Sequence, residues 1–198
     1  MDKDSAAEAL LSFWFGAEAD DDAVARRQAP LWWSKDPELD RSLGERFEPE
    51  LPGAGAAWPE TPRGRLARVI LLDQIPRSIY RGTVRAFAWD ELARRQAEAS
   101  LALGDESRLR PIQRVFLYMP FEHAEDLELQ DLAVERFEAL GAAVPAAQRQ
   151  TFDGFLDFAR RHRDIIRRFG RFPHRNAILG RPSTAEETAF LQTPGSSF

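Results

Sequence analysis

An all-α fold is what this sequence predicts, and three observations carry the prediction. Val and Ile are scarce, no run alternates apolar and polar residues as a half-buried strand would, and apolar residues recur three and four apart between Gly and Pro. About eight helices joined by short turns place successive helices antiparallel, as stacked helical hairpins or a bundle. A length of 198 residues suits a single domain, 1–198.

Ser5 and Glu8 read as a capping box for a first helix that carries Leu10, Leu11 and Trp14 and stops at Gly16. Asp36 and Pro37 open a second, through about Phe47. The stretch "EPELPGAGAAWPETP" is a Pro/Gly-rich connection too short to separate two domains. A third helix runs from about Arg63 to Gln74, and Pro76 closes it because proline has no N–H and crowds the preceding turn. Thr83 caps a fourth, which ends at Gly104. "LRPIQRVFLYM" forms a fifth, interrupted or kinked at Pro120. The next spans Glu125 to Leu140, ended by Gly141, and a long one follows from about Ala146 to Phe169, with Gly170 just past its end and Pro173 forbidding continuation. Ser183 with Glu186, or Thr184 with Glu187, caps the last.

The absence of cysteine removes disulfides, thiolate zinc sites and cysteine nucleophiles, and fits a reducing compartment, so a cytoplasmic protein is expected. The acidic start "MDKDSAAEALLSFWFG" lacks the charge pattern of a secretory signal, and no apolar stretch nears bilayer-spanning length. A net charge of -5 argues against nucleic-acid binding. Between Arg149 and Arg181, however, nine Arg stand against three Asp, a polarity that suits an anionic ligand. Arg is also the default cation of this chain, 25 against 2 Lys, so no single exposed Arg carries functional weight.

Placing polar residues on helical wheels is more selective. In the long helix Phe155, Phe158, Ala159, Ile165, Ile166 and Phe169 share a side with His162, while Arg160, Asp164, Arg167 and Arg168 lie opposite. Asp73 continues the apolar face of Leu66, Val69 and Ile70, where a buried carboxylate needs a cation such as Arg77. The stripe Ile112, Val115, Phe116 and Met119 leads past Pro120 to His123 and Asp126, with Glu122 beside them. Three distant segments thus direct titratable groups inward, which predicts a shared polar pocket.

No spacing matches a metal motif, and there is no Gly-x-Ser-x-Gly elbow, P-loop or dinucleotide fingerprint, so neither metal nor cofactor is expected. Asp73, His123 and His162 have the identities of acid-base catalysts. The turn "GRFPHRN" sets Arg171, His174, Arg175 and Asn176 on irregular backbone, where guanidiniums and loop donors grip a carboxylate or phosphate, with Arg77 as a further contact. Alternatively these arginines neutralise Asp73, Asp126 or Glu122 and lock helices together. The leading expectation is a pocket for a small anionic ligand. A hydrolase or isomerase of an anionic metabolite is the second, and a protein-binding scaffold anchored by Trp32, Trp33 or Trp58 the third.

The blocks "FWFG" at Phe13, "LLDQIPRSIYRGTVRAFAWD" at Leu71, "FLYMPFEHAEDLELQ" at Phe116, "RHRDIIRRFGRFPHRNAILGR" at Arg161 and "STAEETAFL" at Ser183 resemble the bacterial domain of unknown function 924 family across nearly the whole chain. Ile75 and Ser78 stand where that pattern has Phe and Asn, and Ala124 where it has Ser. The resemblance implies a tetratricopeptide-repeat-like helical fold and no established activity.

Overall fold

The structure is a computed structural model that describes residues 3–197, with side chains from Ala6 onward. Among these residues there are nine α-helices and no strand: α1 (Lys3–Phe15), α2 (Asp21–Trp33), α3 (Pro37–Phe47), α4 (Pro62–Ile79), α5 (Asp90–Ala102), α6 (Pro111–Glu122), α7 (Leu127–Ala143), α8 (Arg149–Phe169) and α9 (Ala185–Phe190). Helix α4 packs against α1, α3, α5 and α6, and α7 lies between α6 and α8.

Composition explains which helices sit inside. Helix α4 is enclosed by others: every residue from Leu66 to Pro76 is buried, the polar Arg68, Asp73 and Gln74 included, so each of these needs a partner inside the fold. Helix α6 is equally enclosed, and its Phe116 receives Trp14, Phe15 and Trp32 edge-on at centroid distances of 5.6, 5.5 and 4.7 Å. Helix α8 is amphipathic: it buries Phe152, Leu156, Ala159, His162, Ile165 and Ile166 and turns its arginines outward. Gly170 follows it at φ 68°, the left-handed conformation that ends a helix without a Cβ penalty.

Several boundaries differ from the sequence expectation, each for a physical reason. Helix α1 begins at Lys3, so Ser5 lies inside it rather than capping it. Pro76 does not close α4. The helix continues to Ile79, and the guanidinium of Arg77 donates to the carbonyl of Asp73 at 2.9 Å in the turn that the proline loosens. Pro120 likewise lies within α6. Thr83 begins a short 3-10 turn, Val84–Phe87, and α5 starts only at Asp90. Gly141 is inside α7, which ends when Val144 turns extended ahead of Pro145. Helix α2, capped by Asp20 accepting from Ala23 N at 2.8 Å, carries Pro30 in its interior and was not expected.

The Pro/Gly-rich connection is tied down by α4. Arg68 donates to the carbonyls of Gly55 and Trp58, and Arg65 forms a bidentate pair with Asp105 at 2.6 and 2.8 Å. The start of α4 runs so close that a Cβ on Gly64 would meet the Pro59 carbonyl oxygen at 2.0 Å, so only glycine fits there. No helix among the described residues is long and apolar enough to cross a membrane.

Candidate functional site

The ends of α4 and α6, the middle of α8 and the turn after Gly170 converge on a cleft of about 730 Å³. Its polar end is lined by Gln74, Arg77, Glu122, His123, His162, His174 and Arg175. All three histidines of the chain are among them.

Asp73 anchors this end although its side chain is entirely buried behind the lining. His123 Nδ1 lies 2.8 Å from Asp73 Oδ1, Arg77 Nη1 lies 3.5 Å from the same oxygen, and Gln74 Nε2 donates to Oδ2. Burial pushes the Asp73 carboxyl up, but the charge of Arg77, then His123, outweighs it and holds the group well below the usual carboxylate range. His123 is shifted down by burial and by the same Arg77 charge, against the pull of Asp73. His123 is thus charged only in acid, and at neutral pH the pair is a carboxylate accepting from a neutral imidazole whose proton sits on Nδ1. Nε2 of His123 makes no protein hydrogen bond among the described residues.

Arg77 is itself shared, because Asp90 at the start of α5 takes both of its terminal nitrogens at 2.7 and 2.9 Å. Burial opposes its charge, yet Asp73 and Asp90 outweigh burial and raise its pKa. Arg175 donates from Nη1 to the His123 carbonyl at 3.0 Å and lies over the rings of Phe87 and Phe172 at 4.8 and 4.4 Å. Burial, then Arg77, lowers it to about 10. Its Nε is buried with no hydrogen-bond acceptor among the described residues, so the donors of this guanidinium are not used up. His162 Nδ1 lies 2.9 Å from both the Phe158 carbonyl and Glu122 Oε1, and its ring is 6.1 Å from that of His123. His174 is driven down to about 4, by burial first and the Arg175 charge second.

Of the residues expected at the site, Asp73, Arg77, His123, His162, His174 and Arg175 come together. Arg171 and Asn176 do not line the cleft. Arg171 is paired with Glu187 at 2.6 and 2.8 Å, and Asn176 is buried between Ser183 and Arg181, so both fasten the C-terminal segment. Asp126 is the N-cap of α7, accepting from Glu128 N and Leu129 N. Among the described residues no group of three or more His, Asp or Glu is placed to hold a metal ion.

The family model described as a bacterial protein of unknown function, DUF924, matches residues 10–195. The chain belongs to this family. A solved structure from Agrobacterium tumefaciens, protein of unknown function ATU0120, is 33% identical, with a TM-score of 0.78 over 95% of this chain and 97% of its own. No curated protein matches this chain. Within this DUF924 chain, sequence reasoning missed Asp90, Lys35 and Phe87. Asp90 fell inside the helix expected from Thr83 to Gly104 with nothing to single it out, and only the packing of α5 on α4 brings it to Arg77. It also missed the apolar half of the cleft, formed by Trp32 and Trp33 from α2 and Phe155 and Phe158 from α8, because α2 itself was not foreseen.

Proposed function

We propose that the cleft binds a small anionic metabolite, bearing a carboxylate or phosphate, with its charged end among Arg77, Arg175 and the histidines. The observation that supports this most is the cleft surface itself: Lys35, Arg77, Arg81 and Arg175 line it against a single carboxylate, Glu122. A guanidinium with an unused donor, that of Arg175, in a recess lined by further cations is well suited to an anion. The test is thermal unfolding with inorganic phosphate, sulfate and short carboxylates. A ligand at a hundred times its dissociation constant adds about 2.7 kcal/mol, which raises Tm by roughly 5 to 10 °C for a chain of this size. The rise is expected to disappear in Arg175→Gln and to shrink in the rim variant Lys35→Ala. If no anion moves the Tm of the folded wild-type protein, the reading fails.

A second reading rests on a different observation, the buried Asp73 that orients the neutral His123 toward the cleft. In a hydrolase or isomerase of an anionic metabolite, His123 would take a proton through Nε2 while Asp73 stabilises the imidazolium that forms. Loss of turnover in His123→Gln with ligand affinity unchanged would support it. Turnover that survives this substitution would end it. The scaffold reading loses two of its three anchors, since Trp32 and Trp58 are buried.

A further inference from the structure

Building on the anion reading, we infer that the ligand is a monocarboxylate carrying an unbranched apolar chain of roughly ten bonds, the chain lying along α8 from His162 toward Gly154. Three independent observations lead there.

The first is charge balance at the polar end. Four cations line the cleft, Lys35, Arg77, Arg81 and Arg175. Around them stand four carboxylates: Asp40 paired with Arg81, Asp73 and Asp90 on Arg77, and Glu122 on His162. On the lining itself only Glu122 faces the four cations, and the carboxylates behind Arg77 and Arg81 offset much of their charge, so one added negative charge is matched better than the two of a phosphate dianion. The charged end therefore orients the ligand, and affinity has to come from elsewhere.

The second is the apolar half of the cleft. Trp33 is 50% and Phe158 49% exposed, and both line the cleft in front of Trp32 and Phe155. Large aromatics left half in water beside a recess are surface that an apolar ligand would cover.

The third is Gly154. It lies inside α8, where glycine is the poorest ordinary helix former, and a Cβ added to it would meet nothing within 4 Å. Its missing side chain leaves open space in the cleft wall rather than accommodating a neighbour. Gly154, Phe158 and His162 are four residues apart and form one row on the helix surface. At 1.5 Å per residue that row is about 12 Å long, which at about 1.2 Å per bond of extended chain accommodates roughly ten bonds.

The deciding experiment measures dissociation constants for straight-chain carboxylates from acetate to dodecanoate, with decanol and decyl phosphate alongside, by calorimetry and by tryptophan fluorescence. Each buried methylene is expected to tighten binding about three- to fourfold, up to decanoate, with no gain beyond. Decanol and decyl phosphate should bind at least about tenfold more weakly than decanoate, the loss expected for about 1.4 kcal/mol. Gly154→Leu places a side chain in the open space at an exposed position where leucine favours the helix, so it should fold. It should weaken decanoate at least about tenfold while leaving butyrate unchanged. Equal affinity for acetate and decanoate would overturn the acyl class and leave the anion site standing. Tighter binding of decyl phosphate would overturn the monoanion assignment. If decanol binds as tightly as decanoate, or if no carboxylate of any length binds, the anion reading falls and takes this inference with it.

Discussion

Asp73 has no exposed surface, and its carboxylate is shared between Arg77 and His123. Asp73→Asn keeps the shape and removes the charge, so Arg77 keeps only Asp90 and His123 loses its strong acceptor. Breaking one side of a buried pair is expected to cost about 3 kcal/mol in urea unfolding. A cost below about 1 kcal/mol, the range of exposed pairs, would mean that the carboxyl is not ionised in the folded protein. His174 provides the pH dependence. Burial, with the Arg175 charge second, holds it near 4, below the ordinary histidine value of 6.5. Between those values the unfolded chain takes up a proton that the folded chain refuses, so the His174 contribution is present above pH 6.5 and lost as pH falls toward 4. Allowing for partial solvent screening, this is about 2 kcal/mol. Stability measured against pH for His174→Asn should be flatter than wild type by that amount over that window, and parallel curves would refute it.

At the level of helices, the signals that proved legible were local and geometric. The Asp36 cap, the Gly170 terminator and the Thr184 and Glu187 capping box are all completed by bonds within a few residues. The signals that misled were Pro76 and Gly141, because a buried helix keeps going past a proline or glycine when packing on every side outweighs one lost bond or some backbone entropy. Asp73, His123 and His162 were legible because each sits on an apolar helical stripe. Glu122 as the partner of His162 and Asp90 as the partner of Arg77 could not be assigned, since which helices meet is a tertiary fact. Helix α8 offers an element-level prediction. With open space above Gly154, Gly154→Ala should stabilise the protein by about 0.5 to 1 kcal/mol. Asp126→Ala should destabilise it by about 1 kcal/mol through loss of the α7 cap. Unchanged stability in the first case would show that the space is filled in solution.

On the scale of the whole molecule, the segment after Gly170 works as a strap, and one side chain, Glu125, fastens it across the fold. Glu125 sits between α6 and α7, accepts from the Phe172 backbone N–H at 2.8 Å, and accepts from Arg181 Nη2 at 2.9 Å. Between those two points of attachment lie His174 and Arg175, so the polar end of the cleft is held in place from outside it. Arg171 and Glu187 fasten the next stretch, and the ring of Phe169 packs on that of Phe190 at 5.0 Å. Glu125→Gln replaces charge-assisted bonds with neutral ones and should cost about 2 kcal/mol, lowering Tm by roughly 4 to 8 °C. Amide exchange should accelerate from 171 to 181 while α4 and α6 stay protected, because local opening follows local contacts. Anion affinity should fall as well, although Glu125 does not line the cleft. Arg171→Ala separates the two roles: it should speed exchange in α9 and leave anion affinity as it was. If Arg171→Ala instead abolishes binding while Glu125→Gln does not, the charged end of the ligand lies on the strap's outer face and not in the cleft.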